Sequence, residues 1–428
     1  MARSAAASAA SKSVAVVGGG WSGVAAAVEA TRLGHSVTLF EMATELGGRA
    51  RSVDAHGEWL DNGQHILIGA YVDTLALMRT VGVDTDTAFF RTPLHFTDPR
   101  GAGLRLQAGR AIPAFTRAVL RQRGWSVAER FRLLATAAGW ASSGFRCDAA
   151  ATVAVLSARL PARVRQQLIE PLCVAALNTP ATEASGAVFL RVLKDALFAG
   201  PGSADLLLPR VGLTEALPAP ASRWLTDAGA SLRLGRRVTS IEPNCAGWQV
   251  DDEPFEAVVL ATTASQAAHL TAGAAADWSA SAGSLGYEPI ATVYLQCDGA
   301  RLAHPMLALH ADDHAPAQFV FDRGQLGGAA GLLAFVVSGA KAWAALGTGA
   351  TAAATMRQAV AALALPSPPR LVQTIIEKRA TFRCTPGLMR PAMRIAAGLY
   401  AAGDYVAGPY PATLEGAVRS GLQAARQA

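Results

Sequence analysis

The first forty residues show the clearest alternation of apolar and polar positions in the chain. A short apolar run at residues 14–17 leads into a glycine-rich turn. Small or apolar side chains then recur at i, i+3, i+4 and i+7 from Val24 to Thr31, which predicts a helix with one buried face. Gly34 ends that pattern, and a second apolar run closes at Glu41. The order strand, glycine turn, helix and strand predicts a βαβ unit.

A second pattern closes the chain. Residues 398–402 are a short apolar run that ends in Gly403 and Asp404. Residues 411–425 then have helical spacing, with Thr413 placed to cap the helix N-terminus. Such a helix points the positive end of its dipole at whatever lies beyond the strand. Alone, this strand and helix fit the ordinary end of an α/β domain equally well.

The middle of the chain divides into a helical stretch and strands. Residues from about 90 to 200 are predicted to be mostly helical, with breaks at Pro113, Gly124, Gly139 and Pro161. Alternating apolar positions predict the strands of a second sheet at residues 291–297, 318–321 and 371–382. The expected fold class is therefore α/β with an α+β second domain.

The first domain is expected to be Rossmann-type with a parallel sheet, and the second to combine mixed sheet and helices. We assign residues 13–88, 203–266 and 384–428 to the nucleotide-binding domain. Residues 89–202 and 267–383 form the substrate-binding domain, whose part at 104–200 is helical. Residues 1–12 are expected to be disordered, and they lack the apolar core of a signal peptide.

The glycine turn carries the chemistry of the βαβ unit. Gly18 permits a tight turn, Gly20 lets the backbone approach a pyrophosphate, and Gly23 lets the helix pack on the sheet. The helix N-terminus offers N–H groups and a partial positive charge to phosphates. Glu41, 23 residues after Gly18, is placed to accept ribose hydroxyls. The pattern predicts bound NAD or FAD, and a glycine loop that only turns the chain is the alternative.

A second glycine pair distinguishes the two dinucleotides. Gly47, Gly48 and Arg49 follow the second strand and can wrap the far side of a pyrophosphate with a fixed cation. NAD dehydrogenases generally lack this clamp, so FAD is favoured. Asp404 would then hold ribityl hydroxyls. The helix after Thr413 would face the flavin N1–C2=O edge, which gains negative charge on reduction.

Together these motifs resemble those of the flavin amine oxidase and phytoene desaturase superfamily. Four further stretches are similar to the bacterial hydroxysqualene dehydroxylases, and the similarity covers nearly the whole chain after residue 12. They are residues 61–67 (DNGQHIL), 170–180 (EPLCVAALNTP), 321–324 (FDRG) and 377–382 (EKRATF). One position departs from the family pattern, because Tyr405 stands where a tryptophan is expected.

The resemblance implies reductive removal of the hydroxyl of hydroxysqualene, giving squalene in squalene and hopanoid biosynthesis. A proton must reach the leaving hydroxyl, the flavin must supply hydride, and water must be kept out. The candidate catalytic residues are His65, Asp195 and Tyr405. Each has a structural alternative. His65 can simply brace the flavin and Tyr405 can pack in the core, while Asp195 can pair with a neighbouring arginine or lysine of residues 191–195.

The motifs and the resemblance together define the expected FAD-binding residues. They are Gly18, Gly19, Gly20, Trp21, Ser22, Gly23, Glu41, Gly47, Gly48, Arg49, Gly63, Gln64, His65, Val238, Gly403, Asp404, Thr413 and Leu414. The backbone of Val238 is placed against the adenine by the resemblance alone. No second nucleotide fingerprint is present, so the flavin is expected to be reduced by an external electron donor or reductase.

Two other functions fit the same residues. A carotenoid (phytoene-type) desaturase, or another polyisoprenoid or amine-type FAD oxidoreductase, uses the same hydride geometry in the opposite redox sense. A non-catalytic prenyl-lipid escort can share the fold without flavin. The intact glycine and acid motifs argue against that escort.

The distribution of charge along the chain indicates one further surface that can bind a partner. The net charge is +6, and eight arginines opposed only by Glu129 lie between residues 105 and 146, interleaved with Phe115, Trp125, Phe131 and Trp140. Arginines with aromatics suit an anionic membrane face, and a solvated helix surface is the plain alternative. Nucleic acid is not expected, since no nucleic-acid motif accompanies the patch. The expected location is cytoplasmic, with a peripheral position on the inner face of the cytoplasmic membrane.

The cysteines suggest no metal site. All five are scattered, and no CxxC pair or Cys/His cluster is present. Buried, reduced thiols are the expectation for a cytosolic protein.

Overall fold

A computed structural model of the protein describes residues 11–55, 57–198 and 200–428. The disorder expected for residues 1–12 therefore falls mostly on residues 1–10, which lie outside the described residues. Ser11 Oγ donates to the Gly34 carbonyl at 2.8 Å, and Lys12 Nζ donates to the Ala428 carbonyl at 2.5 Å. The start of the described chain is thus bonded to the end of the first helix and to the C-terminal residue.

The main sheet has six strands, which are β1 (Ser13–Val17), β2 (Ser36–Glu41), β10 (Ser231–Leu234), β14 (Ala257–Leu260), β20 (Arg394–Ala396) and β21 (Leu399–Ala401). They lie in the order β10-β2-β1-β14-β21-β20, and only β20 runs antiparallel to its neighbour. The chain leaves β1 on one side as β2 and returns on the other side as β14. The carboxyl ends of β1, β2, β14 and β21 therefore share one edge, with a crevice beside β1.

Helices cover both faces of this sheet. On one side lie α1 (Trp21–Arg32), α2 (Val72–Thr80), α10 (Leu213–Ala216), α11 (Pro218–Asp227) and α15 (Leu414–Gln427), and on the other α12 (Ala264–Thr271) and α13 (Ala276–Gly283). Helices α1 and α15 cross so closely that a Cβ on Gly421 would collide with the Ser22 carbonyl oxygen. Glu415 in α15 accepts hydrogen bonds from Thr74 N at 2.9 Å and Thr74 Oγ1 at 2.7 Å. The C-terminal helix therefore also caps the start of α2.

The second sheet contains the three strands predicted for it. Its members are β15 (Tyr287–Gln296), β16 (Met306–Ala308), β17 (Phe319–Asp322), β18 (Leu332–Val337) and β19 (Arg370–Phe382). Every described pairing in this sheet is antiparallel. Helix α14 (Lys341–Ala362) covers one face, and an apolar cluster with Tyr294 and Phe321 at its centre covers the other. The parallel and antiparallel sheets confirm the predicted α/β class.

Four short sheets accompany the two large ones in the described part of the chain. Two of them have two strands each: β3 (Ser52–Ala55) pairs with β4 (Glu58–Asp61), and β7 (His95–Thr97) pairs with β8 (Gly103–Arg105). In the third, β9 (Leu206–Pro209) lies between β5 (Leu67–Ile68) and β6 (Phe89–Thr92). In the fourth, β12 (Gly247–Val250) lies between β11 (Ile241–Asn244) and β13 (Glu253–Phe255). Strands β6, β7 and β8 occupy the start of the stretch that was predicted to be helical. That prediction is wrong for residues 89–105.

The remaining helices are α3 (Thr85–Ala88), α4 (Ala111–Arg121), α5 (Val127–Ser142), α6 (Val153–Leu156), α7 (Ala162–Val164), α8 (Glu170–Leu177) and α9 (Gly186–Phe198), with a π-helical turn at Arg165–Ile169. Two predicted breaks are wrong. Pro113 lies in the first turn of α4, where a missing N–H costs no helical hydrogen bond. Gly139 lies inside α5, where a single exposed glycine costs only about 1 kcal/mol.

Candidate active site

The glycine turn after β1 lines the crevice at the carboxyl edge of the main sheet. Gly18 has a φ of +107°, and a Cβ on it would meet the Ala261 carbonyl oxygen at 2.6 Å. Gly20 has ordinary extended backbone (φ −68°, ψ 177°), and a Cβ on it would meet no described protein atom within 4 Å. A Cβ on Gly23 would collide with the Gly18 carbonyl. Gly18 and Gly23 are thus required by the fold, whereas Gly20 borders open space.

The second glycine pair lies directly against this turn. The Gly47 N–H donates to the Gly19 carbonyl at 2.8 Å. A Cβ on Gly48 would lie 3.1 Å from Gly20 Cα. Among the described residues no side chain caps the N-terminus of α1. The two loops therefore form one continuous backbone surface beside an uncapped helix N-terminus, which is a site for an anion.

Packing fixes the start of α1. The buried Trp21 side chain donates from Nε1 to the Ala50 carbonyl at 2.8 Å and so holds the end of the second glycine loop. Ser22 is buried, with its carbonyl oxygen against Gly421 of α15. These contacts hold the helix N-terminus at one place relative to the sheet.

Glu41, the last residue of β2, is buried with its carboxylate held at both oxygens. Oε2 accepts from the Gly19 N–H at 2.6 Å, and Oε1 accepts from the Ala43 N–H at 2.8 Å. The segment after β10 passes the same place, since the Arg236 N–H donates to the Glu41 carbonyl at 2.9 Å. Buried Val238 follows on this segment. The structure thus brings the expected ribose acceptor and the expected adenine neighbour to one end of the crevice.

Arg49 and Asp404 meet at the other end. Arg49 Nη2 lies 2.6 Å from Asp404 Oδ1, and Nη1 donates to the carbonyls of Ala380 at 2.7 Å and Arg379 at 3.1 Å. Burial lowers the pKa of Arg49, but the charge of Asp404 and the hydrogen bond to it outweigh that effect, and the pKa is raised. One guanidinium therefore connects the second glycine loop, the end of β21 and strand β19.

Replacing Asp404 with asparagine is expected to destabilise the protein by about 2 kcal/mol, because it leaves the partly buried guanidinium without its counter-charge. Thermal or urea unfolding of the flavin-free protein measures this without counting a lost ligand contact. The matched control is Asp205→Asn, whose partner Arg91 lies at 2.8 Å but is nearly half exposed. That exposed pair is expected to contribute less than about 1 kcal/mol. Equal losses in the two variants would contradict the buried-pair assignment.

The C-terminal helix begins beside Asp404. Thr413 caps α15, since its Oγ1 accepts from the Gly416 N–H at 3.0 Å, and Leu414 is the first helical residue. The Gly403 N–H donates to Ser420 Oγ at 2.8 Å, which fixes the end of β21 to the same helix. The positive end of α15 is therefore held near the Arg49 pair, and its position against the flavin edge stays a prediction.

Tyr405 is buried beside this cluster. Its ring lies against Gly403, where a Cβ would collide with it. Burial raises the pKa of Tyr405, and the neighbouring Tyr287 and Asp404 add to the shift, so the phenol stays protonated. Its hydroxyl has no hydrogen-bond partner among the described residues. A buried, unpaired donor of this kind is unfavourable unless a ligand or water accepts from it.

The segment from Asp61 to His65 connects the end of β4 to β5 and lies against β15 of the second sheet. Gly63 has a φ of +89°, and a Cβ on it would lie 3.8 Å from both His65 Cε1 and Thr292 Oγ1. His65 Nδ1 lies 3.0 Å from the Gly63 carbonyl, which makes Nδ1 the donor in the neutral ring. Burial lowers the pKa of His65, although the bond to Gly63 opposes this. His65 is therefore mainly neutral at pH 7 with Nε2 as an acceptor.

Gln64 and its surroundings carry further unpaired polar atoms. Arg323 Nη1 donates to Gln64 Oε1 at 3.3 Å. Gln64 Nε2 and Thr292 Oγ1 are buried without a partner among the described residues. The Tyr294 hydroxyl donates to the Asp61 carbonyl at 2.9 Å and fixes the segment to β15. This region thus holds several groups able to bond a ligand.

The four specific stretches converge here although they are far apart in the chain. Asn62 Nδ2 donates to the Arg49 carbonyl at 3.1 Å and lies 3.3 Å from Glu377 Oε2. Asn178 Nδ2 donates to Thr381 Oγ1 at 2.9 Å. Sequence reasoning quoted these stretches but assigned no role to Asn62, Asn178, Thr292, Tyr294, Arg323 or Glu377. For the four of these residues that lie within the stretches, that location was the only sequence signal. Thr292 and Tyr294 lie outside the stretches and had no such signal.

Asp195 has an ion-pair partner on its own helix. Arg191 Nε lies 2.9 Å from Asp195 Oδ2, one turn apart on α9. Asp195 also lies beside Tyr410, whose pKa is raised by burial and then by this carboxylate. No described hydrogen bond joins Asp195 to His65 or Tyr405. The structure thus favours the pairing alternative for this residue.

Comparison with known proteins agrees with this geometry. The sequence matches the family of flavin-containing amine oxidoreductases over residues 21–428. The chain belongs to this family. It is therefore an FAD-dependent oxidoreductase, as the glycine and acid motifs predicted.

Individual proteins similar to this oxidoreductase include two hydroxysqualene dehydroxylases and one oxidoreductase of known structure. It is 29% identical over 279 residues to a hydroxysqualene dehydroxylase of Rhodopseudomonas palustris, an alignment that spans 61% of this chain and 64% of that protein. A hydroxysqualene dehydroxylase of Sinorhizobium fredii is 24% identical over 97% of both chains. An oxidoreductase structure from Methanosarcina mazei has the same fold, with a TM-score of 0.74 at 15% identity over 96% of this chain and 99% of that one.

The residues present in this flavin oxidoreductase fit FAD. Gly20 borders open space beside the uncapped start of α1, where a pyrophosphate can be received. The Glu41 carboxylate is fixed nearby by two backbone N–H groups. The unpaired hydroxyl of Tyr405 and the unpaired amide of Gln64 lie toward the other end, where the isoalloxazine ring and substrate would meet.

Proposed function

We propose that the protein removes the allylic hydroxyl of hydroxysqualene reductively, with squalene and water as products. The observation that carries the proposal is that the four hydroxysqualene dehydroxylase-like stretches, one of which contains the segment from Asp61 to His65, are joined to one another by hydrogen bonds. Two relatives bearing that name, one aligned over 97% of both chains, support it.

The surroundings of this segment suit a hydrocarbon substrate. Ile66 and Ile68, next to His65, pack against an apolar cluster that reaches into the second sheet. Its buried members include Leu206, Leu208, Tyr294, Phe319, Phe321 and Val336. A polyisoprenoid gains free energy by leaving water for such surroundings, at about 25 cal/mol per Å² of apolar surface. Polar groups are concentrated at the segment itself, where a hydroxyl would need them.

The reaction needs one proton and one hydride for each substrate. Reduced FAD, held by the two glycine loops and Glu41, would supply the hydride that takes the place of the hydroxyl on carbon. The C–O bond would break, and the oxygen would leave as water with a proton from the site. An external reductant, a reduced nicotinamide or a reductase, would return the cofactor to its reduced form.

Different residues of the site supply the proton, the hydrogen bonds and the exclusion of water that this reaction needs. His65 directly precedes Ile66, which packs against the apolar cluster, and in its protonated form it can deliver the proton to the leaving oxygen. Tyr405 keeps its proton and can donate a hydrogen bond without being consumed. Arg49, paired with Asp404 and bonded to two carbonyls of β19, holds the end of β21 and the second glycine loop in place at the flavin end of the site. The apolar cluster excludes water that would otherwise capture an allylic cation.

Anaerobic incubation of the photoreduced holoenzyme with hydroxysqualene tests the proposal. The expected result is squalene in a quantity equal to the flavin reoxidised, measured by gas chromatography and flavin absorbance. A control without substrate gives the background rate of flavin oxidation.

Three other outcomes would overturn the proposal. Desaturation of phytoene by the oxidised enzyme, without squalene formation from hydroxysqualene, would indicate a carotenoid-type desaturase. Flavin reduction by an amine would indicate amine oxidation. A colourless protein that takes up no FAD but binds prenyl lipid would indicate an escort.

A further inference from the structure

The helical hairpin formed by α4 and α5 exposes apolar side chains that a water-facing surface normally buries. Ile112 and Leu120 in α4 are 46% and 44% exposed, and Val127 and Phe131 in α5 are 64% and 61% exposed. Leu133 is the only buried residue among the sixteen of α5. No described helix is long and apolar enough to cross a bilayer.

The exposed residues of α5 form a stripe along one helix face. Val127, Phe131, Ala135 and Ala138 are spaced at i, i+4, i+8 and i+11, and all four are exposed. Leu133 and Trp140 pack on the opposite face, in the core shared with α8 and α9. The stripe thus faces away from the protein.

Arginines flank this stripe. Arg130 and Arg132 precede and follow Phe131, so each leaves the helix about 100° from it on either side. Arg130 also donates from Nη1 to the Leu120 carbonyl at 3.0 Å, which places the end of α4 beside the stripe. The exposed Arg132 side chain, on the shoulder of the apolar face, can extend to lipid head groups while the centre enters the acyl region.

The charge of the hairpin has one sign. It carries Arg110, Arg117, Arg121, Arg123, Arg130 and Arg132. Within the described part of the chain none of these six forms an ion pair, and the single acid, Glu129, accepts from the Ser126 N–H at 2.7 Å as a helix cap. Cations around an apolar centre complement an anionic bilayer surface, whereas nucleic acid offers no partner for the apolar centre.

We propose that the α4–α5 hairpin docks this enzyme on an anionic lipid bilayer, with the Val127–Phe131 side of α5 inserted among the lipids.

The aromatic residues exposed on this hairpin are fewer than the sequence suggested. Trp125 is buried and donates from Nε1 to Gln167 Oε1 at 2.7 Å, and Phe115 and Trp140 are half-buried. Of the four interleaved aromatics, Phe131 alone is exposed.

The hairpin is also joined to the candidate active site through apolar packing. Leu94 and Leu172 pack against both the helical core beneath the hairpin and the cluster that includes Ile66, next to His65. Apolar packing is therefore continuous between the core beneath the hairpin and the site, and we take this side of the protein as the one on which a lipid-dissolved substrate arrives. This delivery step rests on the proposed function, whereas docking itself does not.

Flotation of the holoenzyme with vesicles tests docking. Binding to vesicles of phosphatidylglycerol and phosphatidylcholine is expected, with much less binding to phosphatidylcholine alone and loss at high salt. Phe131→Glu is expected to lower the bound fraction at least about tenfold, and Arg132→Glu to lower it on the anionic vesicles only. The matched controls are Met389→Glu, at a residue that is 81% exposed, and Arg357→Glu, both expected to bind as the unchanged protein does. FAD content and melting temperature confirm that each variant is folded.

Unchanged vesicle binding by Phe131→Glu, or equal binding to neutral and anionic vesicles, would overturn the proposal. Self-association of the unchanged protein that Phe131→Glu abolishes, without vesicle binding, would show that the stripe is a protein interface instead. Turnover of detergent-dispersed and vesicle-embedded hydroxysqualene separates docking from delivery. If Phe131→Glu loses turnover of the vesicle-embedded substrate but keeps turnover of the detergent-dispersed substrate, delivery is supported. If neither the unchanged protein nor any variant forms squalene from either preparation, the proposed function is refuted and docking is unaffected.

Discussion

Replacing Gly20 with valine is expected to give a folded but colourless protein. The backbone of Gly20 has a φ of −68°, which any residue can adopt, and a side chain there meets no described protein atom within 4 Å. The added isopropyl group would instead occupy the space from which a pyrophosphate reaches the start of α1. We expect FAD affinity to fall on the order of 1,000-fold, equivalent to about 4 kcal/mol.

Absorbance of the purified variant and titration of its apoprotein with FAD measure this loss. Gly273→Val is the matched control, because Gly273 also lacks a positive φ and has open space at its Cβ position. The two apoproteins are expected to melt at the same temperature. Gly23→Val, in contrast, is expected to misfold, since its Cβ would collide with the Gly18 carbonyl. A Gly20→Val protein that retains full flavin would show that the pyrophosphate does not approach this turn.

Replacing His65 with glutamine is expected to slow squalene formation on the order of 100- to 1,000-fold while FAD stays bound. Glutamine keeps a polar side chain of similar reach but cannot deliver a proton. The rate of single-turnover flavin reoxidation by hydroxysqualene measures the effect. Unchanged turnover would show that His65 only braces the flavin.

The pH dependence gives a second readout. Because burial lowers the pKa of His65 below 6.5, the protonated donor becomes more abundant as the pH falls from 8 toward that lowered pKa. The rate of the unchanged enzyme is expected to rise over this range, and the rise should be absent in His65→Gln.

The same pKa shift affects stability. The unfolded chain binds a proton at its ordinary pKa of 6.5, whereas the folded protein resists protonation, so stability contributed by neutral His65 is lost as the pH falls below 6.5. Rates are therefore compared where the melting temperature is constant. His95→Gln is the control, since burial, His304 and Arg105 lower the pKa of His95 to about 4 and it lies on β7 in a separate short sheet. It should leave the pH profile unchanged.

The local sequence was sufficient to predict an element where the residues of a single segment determine its structure. The first strand, α1 and Glu41 follow from apolar periodicity and glycine spacing, and the structure has them at Ser13–Val17, Trp21–Arg32 and the end of β2. Thr413 caps α15 as predicted. Helix breaks were less predictable. A proline in a first turn and a glycine on an exposed face cost little, so Pro113 and Gly139 do not end their helices.

The neighbours of the catalytic candidates could not be found in this way. Tyr294 and Thr292 lie on a strand that looks like any other apolar strand. Only its pairing with β18 and β19 in the second sheet places it beside the segment from Asp61 to His65. Likewise, Trp125 and Phe131 are both aromatic residues among arginines, yet one is buried and the other exposed. Trp125 lies in the loop before α5 and packs into the core, whereas Phe131 lies on the outer face of α5. The packing of the hairpin on the core decides this, and periodicity alone leaves it open for a helix with apolar residues on both faces.

By itself the sequence determined the dinucleotide fold at both ends of the chain and the cofactor that it takes, because glycine spacing and short-range periodicity act over a few residues. Only the tertiary structure decided that Arg49 pairs with Asp404, 355 residues away, and that hydrogen bonds join the four hydroxysqualene dehydroxylase-like stretches to one another. Such contacts depend on strand order and on the burial of charge. Both arise from the packing of the whole chain, so no single segment of the sequence contains them.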